Sequence, residues 1–146
     1  MRFSNLPVLG EREWFNHTVK AIQEAGNTVT IDPVNYDYVL GNGASRPNGD
    51  NDLYVYRVTI TDGNHTMHLI GGVGYVKHGA LNSGQCFTIK LPWQFGRGSS
   101  IDGNVFDTWN ANLQTQDDGQ TVAVYSLSDG THESTNWVNF KIFSPF

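Results

Sequence analysis

The sequence predicts an all-β protein: an antiparallel β-sandwich of jelly-roll-like form with one N-terminal α-helix. From residue 28 onward, short stretches of alternating apolar and polar residues follow one another, as strands with one buried face do. Turn-forming Asp-Gly pairs separate several of them at spacings typical of a sandwich. One earlier segment instead has the three- and four-residue apolar spacing of a helix. We therefore divide the 146 residues into a helical segment, 1–27, and a sandwich domain, 28–146.

The helix is predicted over residues 11–25, EREWFNHTVKAIQEA. Its apolar positions, including Trp14 and Ile22, fall on one helical face. Glu11 lies in the first turn, where the helix dipole favours an acid, and Gly26 is a usual residue just after a helix end. The apolar stripe leaves two alternatives open: it packs at a threefold axis between copies, or it caps the open end of its own sandwich.

At least seven strands are predicted after the helix, and they alternate with polar loops. The candidate stretches are NTVTIDP, NYDYVL, DLYVYRVTIT, HTMHLIGGVGYVKHG, QCFTIKLPW, NVFDTWNANLQT, QTVAVYSLS and TNWVNFKIF. The stretch GNGASRPNGDND, residues 41–52, is the one long loop, because it offers almost nothing to bury. In the third candidate strand, alternation places four residues on one face: Tyr54, Tyr56, Val58 and Ile60.

Turns are predicted where glycine accompanies short polar residues. Hairpin turns are expected at residues 61–64, 117–119 and 128–130. The glycines at positions 71, 72 and 74 indicate a bend, a bulge or a close backbone approach. The Lys77-His78-Gly79 corner is expected to turn the chain between paired strands, with Gly79 chosen for its backbone. No partner is visible that would make His78 a catalytic base.

Charge and composition argue against several classes of protein. The net charge is −5 and only nine residues are Lys or Arg, which argues against a nucleic-acid partner. No apolar run approaches the ~20 residues of a membrane helix, so no membrane insertion is expected. The single cysteine, Cys86, excludes an internal disulfide framework and is expected to be a small buried apolar side chain. No signal-peptide core precedes the helix, so we expect synthesis in a cytoplasm.

No metal site, cofactor or enzymatic activity is predicted. His65 and His68 are three residues apart, so on a strand they point to opposite faces. Asp50 and Asp52 lie in a loop that lacks the frame of a calcium-binding loop, and a solvated loop is expected there. No G-x-S-x-G motif is present, and most of the Asp residues lie in turns, where local hydrogen bonding favours them.

Polar and aromatic side chains predict a saccharide site instead. Sugar rings have apolar C–H faces and radiating hydroxyls, so they require an aromatic plate beside planar donors and acceptors. The segment FDTWNANLQT supplies these residue types within a short stretch. The predicted ligand-binding residues are Asp107, Trp109, Asn110, Asn112 and Gln114, with Trp93 and His132 added from other segments. Packing of Trp109 in the core is the competing interpretation, because either face of the predicted strand at 105–114 can be the exposed one.

Three segments of the second half resemble the C-terminal head domain of tailed-phage receptor-binding proteins and tail fibres. They are GYVKHG at 74–79, FTIKLP at 87–92, and the aromatic final strand within residues 137–143. The resemblance covers residues 71–146, about half of the chain. The first seventy residues depart from it, since one helix stands where a long fibre or shoulder region is expected.

The resemblance implies a homotrimeric β-sandwich head that recognises saccharides on a bacterial surface. The chain would then be made in the host cytoplasm and carried in the virion, at the tail tip. It would act as a non-enzymatic host-receptor binding domain of a tail fibre or baseplate protein. No site residue can be carried over, because the family has no universal ligand motif. Two alternatives remain: a stand-alone lectin-like carbohydrate-binding protein and a small carbohydrate-active enzyme.

Overall fold

The computed structural model describes residues 14–24, 26–96, 99–106, 111–128 and 132–144. Within these ranges one helix and nine strands follow each other along the chain. Their bounds are α1 Trp14–Glu24, β1 Thr28–Ile31, β2 Val39–Gly41, β3 Tyr54–Asp62, β4 His65–Leu81, β5 Cys86–Lys90, β6 Ser100–Phe106, β7 Ala111–Thr115, β8 Thr121–Ser126 and β9 His132–Ser144.

The strands form two antiparallel sheets, which confirms the predicted all-β sandwich. One sheet has the order β1-β3-β4-β9-β6 and the other has the order β2-β5-β8-β7. The pairing is nested, since β4 pairs with β9 and β5 pairs with β8. Strands β6 and β7 extend these pairs in separate sheets, as expected of a jelly-roll-like winding.

Apolar side chains from both sheets meet in a single core. Val55 and Ile70 of the five-stranded sheet and Phe87 and Ile89 of the four-stranded sheet have no exposed surface. On each strand, the residues that alternate with these buried residues point away from the core. The five-stranded sheet therefore has an inner face that is buried and an outer face that the second sheet does not cover.

The hairpin and glycine predictions are confirmed in the first half of the sandwich. Asp62 pairs with His65 across a two-residue turn in which Gly63 has a φ of 55°. Gly74 has a φ of 141°, and a Cβ there would lie 2.5 Å from the Cα of Leu53. The backbone of residues 52–53 therefore crosses β4 at a distance that only glycine permits. The turn at 117–119 joins β7 to β8, with Gly119 at a φ of 66°.

The predicted turn at Lys77-His78-Gly79 is wrong, because these residues lie inside β4. They are paired on one side with β9, where the register shifts between His78 and Leu81. On the other side the loop at 43–45 completes the pairing: the Lys77 N–H donates to the Ser45 carbonyl at 2.9 Å. The strand continues here because the loop supplies hydrogen-bond partners that cannot be seen in local sequence. The chain turns later, where Gly84 has a φ of 83°.

The stretch NVFDTWNANLQT was predicted to be one strand. In the structure it contributes residues to two strands, so that prediction is wrong. Strand β6 ends at Phe106 and belongs to the five-stranded sheet, whereas β7 begins at Ala111 and belongs to the other sheet. Residues 107–110 between them lie outside the described residues. The alternating sequence pattern is continuous across both strands, so it predicts a single strand although β6 and β7 belong to different sheets.

The helix lies against the outer face of the five-stranded sheet. Gly26 has a φ of 87°, and the Asn27 N–H donates to the Ile22 carbonyl at 3.3 Å, which closes the last turn as predicted for a glycine C-terminus. The side chains of Val19 and Ile22 line an apolar groove together with one face of β3. That face carries the four residues predicted to share it: Tyr54, Tyr56, Val58 and Ile60. These contacts place the helix over a sheet face rather than over an open end of the sandwich.

Candidate functional site

The structure separates the predicted saccharide-binding residues. Trp93 follows β5 and is half-buried, whereas Asn112 and Gln114 are exposed on β7, at the edge of the four-stranded sheet. Asp107, Trp109 and Asn110 lie outside the described residues, as does the side chain of His132. Trp93 lines a cleft with charged and aromatic neighbours.

Trp93 is held in place by the residues on either side of it. Leu91 and Phe95 are each about 1% exposed and anchor the segment in the core. The Leu91 N–H donates to the Gln120 carbonyl at 2.9 Å, and the Phe95 N–H donates to the Gly119 carbonyl at 2.7 Å. Because the backbone is fixed on both sides, the indole is held at the surface in a defined position. The segment need not become ordered when a ligand binds, as a preorganised binding site requires.

The loop that follows β1 forms the opposite wall of the cleft. The Asp32 N–H donates to the Arg57 carbonyl at 2.9 Å. Asn35 and Val55 exchange two backbone hydrogen bonds, each of 2.9 Å, and the Asn35 Oδ1 accepts from the Asp37 N–H at 2.6 Å. The loop is therefore fixed to β3 and held in a defined shape.

Arg57 joins the two walls of the cleft. Its Nε donates to the Asp32 Oδ2 at 2.6 Å, and both side chains remain about 30% exposed. The guanidinium carbon lies 5.3 Å from the centre of the Trp93 ring, within the range of a cation–π interaction. Arg57 shares its strand face with the buried Val55, so the pair lies where the gap between the sheets opens to solvent.

The resulting cleft has a volume of about 530 Å³. Its lining combines an indole, a phenol, an amide, two carboxylates and one guanidinium. The residues are Asp32, Pro33, Val34, Asn35, Tyr36, Asp37, Arg57 and Trp93. A hydroxyl-rich ring placed there would meet both an aromatic surface and fixed donors and acceptors.

A second arginine supports the rim of the cleft. Arg46 lies over the rings of Tyr36 and Tyr38, at 5.8 and 4.6 Å from their centres, and it donates a hydrogen bond to the Tyr36 carbonyl. Tyr38 is 4% exposed, and its burial raises the pKa of the phenol. Tyr36 is 46% exposed, so its ring is available to a ligand while its backbone is held by Arg46.

Other residues weighed for chemistry take structural positions. His65 is exposed and His68 is half-buried, with its Nδ1 2.8 Å from the Thr59 Oγ1. Asp52 Oδ1 accepts from the Gly49 N–H at 3.0 Å, a local loop contact. Cys86 is half-buried rather than buried. In the part of the chain that the structure describes, no three His, Cys, Asp or Glu side chains are grouped to hold a metal ion.

His78 belongs to a buried hydrogen-bonded cluster between β4 and β9. Its Nδ1 is 2.7 Å from the Gly79 carbonyl, so this nitrogen is the donor. Its Nε2 then accepts from the Asn136 Nδ2 at 2.6 Å, and the ring stacks on Phe87 at 5.4 Å. With 1% exposure and these contacts, His78 stabilises the fold and is closed to a substrate.

The apolar groove under the helix is chemically different from the cleft. It has a volume of about 560 Å³ and is lined mainly by aliphatic side chains and two tyrosines. Burial raises the pKa of Tyr56, whose ring lies over Gly71. Among described residues, no helix is long and apolar enough to cross a membrane. The groove shares Asp32 and Val34 with the cleft, so helix packing and cleft shape are connected.

Sequence reasoning missed most residues of the cleft. Arg57 and Asp32 are 25 positions apart, and only the pairing of β1 with β3 brings them together. The stretch NYDYVL, residues 35–40, was predicted as a strand, but only its last two residues belong to β2. Asn35 and Tyr36 line the cleft instead. The one available signal was Pro33, which ends β1 and makes a shaped loop after it expected.

No family model matches the chain, and the searches of curated proteins and of solved structures return no match either.

Proposed function

We propose that this chain is a non-enzymatic saccharide-binding domain of a phage tail, and that it recognises a polysaccharide on the bacterial surface. The cleft at Trp93 carries the saccharide part of the proposal. It places an anchored indole beside an ion-paired arginine and a fixed loop with an amide and a phenol. The resemblance of residues 71–146 to phage receptor-binding heads is the ground for proposing a location in the tail and assembly as a homotrimer.

The ion pair favours binding over hydrolysis. Glycoside hydrolysis needs two carboxyl groups that face each other, one of which donates a proton. Asp32 is instead committed to Arg57 at 2.6 Å, which makes its free oxygen an acceptor for a sugar hydroxyl. Asp37 is exposed at the rim, and its backbone rather than its carboxylate is fixed by Asn35.

Binding to a printed array of bacterial surface polysaccharides tests the proposal. We expect selective signals from the wild-type chain and an about thirty-fold loss for Trp93→Ala, since a central aromatic contact contributes about 2 kcal/mol. Arg57→Lys keeps the charge but loses the planar fork, so it should also weaken binding. Phe143→Ala, which removes an exposed aromatic ring outside the cleft, is the matched control and should bind as wild type. Equal binding by wild type and Trp93→Ala would contradict the site.

The alternatives predict different results. A lectin-like protein that acts alone would bind the array as a monomer, whereas the phage head predicts a mass near three times 16.2 kDa by light scattering. A carbohydrate-active enzyme would release reducing ends from the bound polysaccharide. If Asp32→Asn and Asp37→Asn abolished such release while binding continued, the non-enzymatic proposal would fail.

A further inference from the structure

The outer face of the five-stranded sheet carries three aromatic side chains in one cross-strand row. Phe106 of β6 pairs with Trp137 of β9, which pairs with Tyr75 of β4. Phe106 is 59% exposed and Tyr75 is 38% exposed. The rings of Tyr75 and Trp137 meet edge to face with centres 5.0 Å apart. We call Phe106, Trp137 and Tyr75 the aromatic row.

The next row on the same face is uncharged and carries two amides and one valine. Two residues along each strand, Asn104 pairs with Asn139, and Asn139 pairs with Val73. Side chains two positions apart on a strand point to the same side, so both amides stand beside the aromatic row. Asn104 is exposed and Asn139 is half-buried.

Alternation assigns this face to solvent rather than to the core. On β9 the intervening residues, Val138 and Phe140, have no exposed surface because they point between the sheets. The aromatic row lies on the opposite face, where Phe106 and Tyr75 are exposed and Trp137 is half-buried, so it does not pack into that core. Contiguous exposed apolar surface of this kind marks a binding site in soluble proteins.

We propose that the aromatic row and its two asparagines form a second, open saccharide-binding surface for an extended polysaccharide chain. Neighbouring strands lie about 4.8 Å apart, so the three rings span roughly 10 Å and offer a continuous surface for successive sugar rings. The amides of Asn104 and Asn139 supply donors and acceptors for hydroxyls along one side. Nucleic acid would also stack on such rings, but the net charge of −5 opposes a phosphate backbone.

This inference rests on the proposed saccharide-binding function and extends it to a separate site. None of the residues of the aromatic row lines the Trp93 cleft. A long chain that reaches both sites would be held by two weak contacts at once, which raises its apparent affinity. A short oligosaccharide would occupy one site at a time.

Affinity electrophoresis through gels that contain a polysaccharide positive on the array tests the surface. Phe106→Ala is the first variant, because its exposed ring can be removed without opening the core, and Trp137→Ala is the second. We expect each to weaken retardation by about five- to ten-fold in apparent affinity. Phe143→Ala, on the outer face but outside the row, should leave it unchanged. Wild-type retardation of both row variants would overturn the inference while leaving the Trp93 cleft intact.

The remaining outcomes are also decisive. Loss in Trp93→Ala together with a smaller loss in Phe106→Ala supports two sites, whereas loss in Phe106→Ala alone supports the aromatic row and refutes the cleft. If no polysaccharide retards the wild type, both proposals fail. If light scattering shows that Phe106→Ala changes the solution mass, the face is an interface between copies of the chain, and the inference is overturned.

Discussion

The two sides of strand β9 differ in burial and in residue type. Val138, Phe140 and Ile142 point inward and have no exposed surface. The residues between and beside them, Trp137 and Asn139 among them, point outward and remain partly exposed. These three inward residues are apolar, and the two inward residues beyond them, Asn136 and Ser144, are buried polar side chains. The outward set mixes an indole with an amide and a lysine.

The difference separates what specifies the fold from what is available for binding. A side chain buried between the sheets contributes to the free energy of folding through lost water contact, and any loss of volume there leaves a cavity. A side chain on the outer face contributes little to folding, so its chemistry can be selected for a ligand. Paired substitutions at buried and exposed positions test that separation.

Phe140→Ala should lower the free energy of unfolding by about 3–5 kcal/mol, because it removes a fully buried ring from the core. Phe143→Ala removes the same side chain from the same strand, but the ring there is 47% exposed. We expect its cost to stay below about 1 kcal/mol. Urea denaturation followed by tryptophan fluorescence measures both. If both variants lost a similar free energy of unfolding, the outer face would also stabilise the fold.

Gly74→Ala should destabilise the fold by about 2–4 kcal/mol, since the added Cβ would meet Leu53 Cα at 2.5 Å and Asp52 O at 2.6 Å. Gly84→Ala is the matched control. Gly84 also has a positive φ, of 83°, but nothing lies within 4 Å of the added Cβ. We expect only the backbone cost there, about 1 kcal/mol. Thermal unfolding of the two variants separates close approach from backbone strain.

Asn136→Ala should cost about 1–3 kcal/mol, because the buried His78 Nε2 loses the amide that donates to it. Asn139→Ala changes the same residue type three positions along β9, on the outer face, and should be nearly neutral for stability. Chemical denaturation at neutral pH compares them. A larger loss in Asn139→Ala would invert the proposed assignment of the two sides.

His68 gives the smallest effect, a pH dependence. Burial and the nearby charge of Arg57 lower its pKa from the ordinary value of 6.5. The unfolded chain therefore binds a proton more readily than the folded chain, and stability is complete above pH 6.5 and decreases as the pH falls from there towards the folded-state pKa. His68→Gln should remove part of that decrease. Parallel pH profiles for both proteins would mean that His68 does not contribute.

The sequence predicted which residues face the core or the outer side better than it predicted which strands pair with each other. The alternation of Tyr54, Tyr56, Val58 and Ile60 along β3 was read correctly, because period-two patterning is local. The strand through Lys77 was missed because its second partner is a loop more than thirty residues earlier. Pairing between distant strands depends on register, and local sequence does not specify register.

The candidate site follows the same rule. Trp93 was predicted from its residue type, as an addition to the residues of FDTWNANLQT, since an indole suits a sugar ring. Arg57 and Asp32 were missed because each looks like an ordinary charged residue until the pairing of β1 with β3 brings them together. The aromatic row needs three strands in register, so no window of sequence contains it.

The most direct test of the central claim is an NMR titration that follows the indole N–H signals of the four tryptophans. Single Trp→Phe variants assign them, and the titrant is a short oligosaccharide prepared from a polysaccharide bound on the array. We predict that the Trp93 signal shifts at the lowest oligosaccharide concentrations. The dissociation constant from its titration curve should agree with the affinity measured on the array. A shift confined to Trp14 or Trp109, or no shift at Trp93 while the oligosaccharide binds, would contradict the proposed cleft.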